Sequence, residues 1–245
     1  MKSFVLILVV LISSQSFAAD KMVRFAATEW CPYTCSEMPN QGIVAEYIRA
    51  LLIRHHIQMT VEFLPWSRAV NQVKQGKLDG LLTAVHSEAP GLSFTSTPTA
   101  DYRSCFINVR NEKINRPRKY LYSAKIGISA DYGYGAEIDA IISTLNKKNI
   151  IVMSGQNTID RLIKLNNNHR IDFFVEEEFV AAYAAQKVQL KLSSAKCGEK
   201  NPFYLAFNPT FDKDNQVIKL LNDEISNSQD LFEVILKENS LDRID

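Results

Sequence analysis

The sequence predicts an α/β protein with two βα modules, because the order β-α-β-α-β is written twice in 245 residues. That order implies a parallel sheet with helices on both faces. The first copy runs through residues 22–85 and the second through 126–175. Between them, residues 111–120 (NEKINRPRKY) are polar, basic and proline-containing, as suits an exposed connection.

In the first module, residues 22–27 read as a strand. Residues 42–55 read as a helix with Val44, Ile48, Leu51 and Leu52 on one face, and 59–64 as a second strand. Trp66, Ala69, Val70 and Val73 recur at helical spacing. Pro65 suits the entry of a short helix over 66–75, and Gly76 stands where a left-handed C-cap is expected. Leu78 and the run Leu81, Leu82, Thr83, Ala84, Val85 then form an apolar strand of the kind buried on both faces of a parallel sheet. In the second module, strands are expected at 126–129, 150–153 and 171–175, and helices at 136–145 and 158–165. Helical periodicity returns over 214–241 through Val217, Leu220, Leu221, Ile225, Leu231, Val234 and Ile235.

Residues 1–18 have the layout of a secretory signal peptide: Lys2, an apolar run over 4–12, then Ser-Phe-Ala-Ala before Asp20. The run falls short of the roughly 20 residues that cross a bilayer, so an exported, periplasmic chain is expected rather than an anchored one. The first cysteine is Cys31, which speaks against a lipid anchor. Without Lys2 the 28 basic residues become 27 against 27 acidic ones, and no basic stripe invites nucleic acid or anionic lipid.

Four cysteines in an exported chain favour two disulfides, with three possible pairings. Cys31 and Cys35 bracket a loop. Cys105 begins an apolar strand at 105–109, and Cys197 precedes another at 203–207, so Cys31–Cys35 and Cys105–Cys197 are the favoured pairs. CPYTC is one residue longer than a redox CxxC, and the four histidines have no ligand spacing relative to the cysteines; neither thiol chemistry nor a metal is expected. No GxSxG or HExxH occurs, so no catalytic residue is assigned and no cofactor is expected.

Ligands of open α/β sheets bind at the carboxyl ends of strands. There the sequence places Trp30 and Tyr33, Thr83, His86 and Glu88, and the run Glu176, Glu177, Glu178. Loop aromatics suit cations or flat ligands, although Trp66 heads an apolar stripe and also reads as core. Tyr132-Gly133-Tyr134-Gly135, just before a helix, offers backbone N–H groups to an anionic or polar ligand atom. His86 and Glu88 also read as solvated loop residues, and a run of three carboxylates as a solvated face.

The order PWSRA at 65–69, GKLDG at 76–80 and SFTSTP at 93–98 resembles the bacterial extracellular solute-binding proteins of family 3, periplasmic receptors for polar amino acids. The resemblance continues at EWCPY (29–33), KIGISADYGYG (125–135), RIDFFVEEEFVAAY (170–183) and YLAFN (204–208). It implies a periplasmic-binding-protein-like type II fold of two α/β lobes with a hinge and a ligand cleft between them. By that likeness residues 20–107 and 208–245 form one lobe and 108–207 the other, and Cys105–Cys197 joins the crossing strands. It also implies a monomeric receptor serving a transporter or sensor, with Glu177 accepting hydrogen bonds from a ligand ammonium while its neighbours alternate away. The family's arginine for an α-carboxylate is missing: no Arg or Lys occurs between Lys77 and Arg103. The ligand is therefore expected to carry an amine or another cationic or donor-rich group and standard L-amino acids to bind poorly, unless Arg68 or Arg103 has taken over the missing role. The rival expectations are a dehydratase-like enzyme using Glu177 or His86 as general base, and a sensory or interaction protein with a vestigial cleft.

Overall fold

The computed structural model describes residues 21–110, 118–130, 132–155, 157–211 and 216–239. The signal peptide, most of the expected 111–120 connection and the last residues lie outside these. Among the described residues no helix is long and apolar enough to cross a membrane.

The first sheet is built from β1 (Lys21–Ala27), α1 (Ile43–Ile53), β2 (Ile57–Phe63), α2 (Trp66–Lys74) and β3 (Gly80–Ala84). β1 pairs parallel with both β2 and β3, as the repeated βαβ order requires. Along β1 the side chains alternate: Val23, Phe25 and Ala27 enter a core with α1, while Ala26 enters one with α2. α2 ends as its sequence signals, with Gly76 at φ +70 and its N–H on Val73 O. Gly80 is required by close approach, since a Cβ there would stand 2.9 Å from Ala206 O. The short β4 (Ser93–Phe94) and β5 (Ala100–Tyr102) precede the crossing to the second lobe.

The second sheet contains β6 (Ser104–Asn108), β7 (Ile126–Ser129), α3 (Ala136–Thr144), β8 (Ile150–Met153), α4 (Thr158–Asn167), β9 (Phe173–Glu177), α5 (Glu178–Lys187) and β10 (Ser193–Cys197). Its order is β10-β6-β9-β7-β8, with β7 parallel to β8 and β9. β11 (Asn201–Phe207) returns to the first sheet, giving β2-β1-β3-β11-β4 with β5 also on β11. α6 (Gln216–Asn227) and α7 (Gln229–Glu238) close over α1, burying Leu221, Ile225, Phe232 and Ile235 in the first core.

The two crossing segments run antiparallel and side by side. Asn201 faces Tyr102 in the first sheet, Cys197 faces Cys105 in the second, and Gly198 N–H donates to Ser104 O between them. The sheets therefore change owner at Arg103 and at 198–200. The division at 107 and 208 placed β6 with the first lobe and β11 with the second; each belongs to the opposite sheet, because its ladder partners lie there. Both favoured disulfides are formed, and Cys105–Cys197 joins β6 to β10 at this crossing.

Candidate functional site

The carboxyl ends of both sheets meet in a cleft. Its cavity is lined by Thr28, Trp30, Trp66, Thr83, Ala84, Val85, Glu88, Tyr102 and Phe203 from the first lobe. Ser104, Tyr132, Gly133, Tyr134, Glu176 and Glu177 line it from the second. Its volume is about 50 Å³. The Gly133 N–H on Glu88 and the Tyr33 hydroxyl on Glu177 bridge the lobes, so they stand closed.

The aromatic wall is built by the loop after β1. The Cys31–Cys35 disulfide draws that loop into a tight turn in which Trp30 N–H donates to Thr34 O at 2.8 Å and Tyr33 N–H to Trp30 O at 2.9 Å. The turn holds the Trp30 ring 4.6 Å from Tyr33, 6.2 Å from Tyr102 and 5.7 Å from Phe203, the last two edge to face. Trp66 belongs to both readings given for it: it is 7 % exposed in the α2 core and also reaches the cavity.

Carboxyls form the polar side. Glu88, in the turn after β3, accepts the Gly133 N–H from the opposite lobe, and burial pushes its carboxyl up to about 7 against the hydrogen bonds of Gly133 and Val85. Glu176 is 2 % exposed. Its Oε1 accepts the Glu177 N–H at 2.9 Å and the Trp30 indole N–H, across the cleft, at 3.4 Å. Among the described residues its Oε2 accepts nothing, and burial raises this carboxyl to about 7. Glu177 is raised to about 8 by burial. Its Oε2 caps α5 by accepting Phe179 N–H at 2.7 Å and Val180 N–H at 3.0 Å, while Oε1 accepts the Tyr33 hydroxyl from the other lobe at 3.3 Å.

Several expectations need correction. The three glutamates do not follow a strand at 171–175; the strand is β9, so Glu176 and Glu177 end it and Glu178 opens α5. Alternation fails because the chain turns into a helix there, and Glu176 and Glu177 both line the cavity. Glu178 instead pairs with Arg103, and neither of these two lines the cavity. Arg103 is therefore no substitute for the missing arginine, and no Lys, Arg or His is among the lining residues. His86 stacks on Phe94 at 4.1 Å, edge-on to Tyr204, outside the lining. Tyr33 sits behind Trp30 and reaches Glu177 rather than the cavity. The Gly133 and Tyr134 amides are not free for a ligand anion: Gly133 N–H meets Glu88 and Tyr134 N–H meets Asp139 Oδ1 at 3.2 Å. The Tyr134 hydroxyl is engaged within its own lobe, accepting Ser129 N–H at 2.6 Å.

The expected residues Trp30, Trp66, Thr83, Glu88, Tyr132, Tyr134 and Glu177 come together around one cavity. Those the sequence did not single out are Thr28, Tyr102, Ser104, Glu176 and Phe203. Tyr102 and Phe203 carried a signal, since both are aromatic and lie in the two strands flanking the crossing.

No family model and no curated protein matches the sequence. Solved structures do match the fold. A histidine kinase sensor domain with similarity to periplasmic binding proteins superposes with TM-score 0.73 at 14 % identity, covering 91 % of this chain and 97 % of that one. An arginine third transport system periplasmic binding protein from Legionella pneumophila gives 0.68 at 16 %, covering 89 % and 99 %. An ancestral amino acid-binding protein, precursor of cyclohexadienyl dehydratase, gives 0.66 at 15 %, covering 89 % and 94 %. The cleft just described therefore lies between the two lobes of a periplasmic-binding-protein-like fold.

Proposed function

We propose that this chain is a periplasmic receptor that captures a small, polar, amine-bearing ligand between its lobes and presents the closed form to a transporter or sensor. The observation that carries this reading is the composition of the cavity: buried carboxyls from both lobes, aromatic walls, and no basic side chain. A cation between those carboxyls gains contacts from both lobes only when they close, and that difference in affinity is what drives closure. The fold neighbours include a sensor domain and transport-system binding proteins, which supports either use of the closed state. The export layout of residues 1–18 supports the location.

A second reading is favoured by one feature. Glu88 and Glu176 are raised to about 7, where a carboxyl can serve as general acid or base near neutral pH, and one fold neighbour is a precursor of an enzyme. Chemical turnover of a bound compound would decide for it.

Both tryptophans of the chain line the cavity, so their fluorescence reports its occupancy directly. Titration against a library of small metabolites should give a saturable change with amines. A library in which no compound perturbs Trp30 or Trp66 contradicts the receptor reading and favours a vestigial cleft.

A further inference from the structure

We infer that the ligand is a short diamine without a carboxylate, held with one ammonium on Glu88 of the first lobe and the other on Glu176 of the second. This rests on the receptor reading above and specifies its ligand. Two carboxyls from opposite lobes reach one cavity and no basic side chain lies among its lining residues, so closure on an anionic or zwitterionic ligand would leave a carboxylate unpaired in a buried site. A dication balances both acids. Glu177 is not the second partner, because its oxygens are committed to the α5 cap and to Tyr33.

Two further observations point the same way. Glu176, 2 % exposed, leaves Oε2 without a hydrogen-bond donor among the described residues while its side chain lines the cavity. A buried carboxylate oxygen of that kind takes a proton or an ammonium donor. Around it stand Trp30, Trp66, Tyr102, Tyr132 and Phe203, whose faces accept methylene groups and alkylammonium ions alike. The cavity is confined between the closed lobes, which restricts the chain between the two nitrogens to a few carbons.

The test is titration calorimetry at pH 7.5 with 1,4-diaminobutane, n-butylamine and 4-aminobutanoate, which keep the chain length and change only the end groups. Tryptophan fluorescence is read in parallel. The diamine should bind at least tenfold tighter than either of the others, and Glu88→Gln and Glu176→Gln should each cost it at least tenfold. Binding of n-butylamine or 4-aminobutanoate as tight as that of the diamine, or tighter, overturns the diamine assignment and leaves the receptor reading standing, whereas no response to these three or to the metabolite library overturns both. Unchanged diamine affinity in the two variants also overturns the assignment. Should a variant fail to fold by circular dichroism, the ranking of the three probes on the unaltered protein decides alone.

Discussion

Glu176 and Glu177 are adjacent, equally buried and equally lining, yet their hydrogen bonds give them different work. Glu177 Oε2 holds the first turn of α5, so Glu177→Ala should cost about 1–2 kcal/mol of stability, the usual worth of an N-cap. Glu176→Gln should leave stability at pH 7 unchanged or raised, because a buried acid raised to about 7 is replaced by a neutral isostere, while amine binding is lost. Urea denaturation of both variants checks this pair, and equal losses would contradict the division of roles. This distinction was not legible in the sequence. The family resemblance selects Glu177 for the ligand and strand alternation turns Glu176 away, but alternation holds only while the strand continues. The missing basic residue was legible, because an empty interval between Lys77 and Arg103 needs no geometry to be seen.

At the scale of elements, the crossing is held by the Cys105–Cys197 disulfide, which closes a sequence separation of 92 residues. A loop of that length makes the bond worth about 2–5 kcal/mol, so Cys105→Ala with Cys197→Ala should lower the thermal midpoint by roughly 5–15 °C. Differential scanning calorimetry reads this, and an unchanged midpoint would show the crossing to be held without it. A subtler change is Gly133→Ala. Its Cβ would stand 3.0 Å from Glu88 Oε1, so the turn before α3 could no longer meet Glu88 across the cleft at its present distance. Weaker closure, seen as reduced ligand affinity with unaltered circular dichroism, is expected. The two modules and their helices were readable because apolar periodicity marks each segment by itself. Sheet membership at the crossing was not, since β6 and β11 are apolar strands whose partners are chosen by the path of the chain, and no local pattern records that path.

For the whole molecule, closing the cleft buries Glu88, Glu176 and Glu177 together. The groups around them are Asp139, Tyr102 and Tyr132 about Glu88, Tyr132 and Tyr134 about Glu176, and Tyr33, Arg103 and Glu178 about Glu177. Of these only Arg103 is cationic, and it is paired with Glu178. Burial lifts the three carboxyls to about 7, 7 and 8, so the closed form holds protons that an open, hydrated cleft releases. The closed ligand-free lobes then hold this stabilisation in full below about pH 4.5, the ordinary value of a hydrated carboxyl, and lose it progressively as pH rises from there through about 7 to 8. Small-angle scattering should accordingly give a larger radius of gyration at pH 8.5 than at pH 5.5, and an amine ligand should reverse the increase; a radius independent of pH would sink the proton-linked closure. The most direct measurement of the central claim is mass spectrometry of small molecules released from the protein purified from its native compartment. About one equivalent of a compact amine without a carboxylate is expected, and recovery of an acidic compound or an ordinary amino acid in that quantity would contradict the diamine receptor.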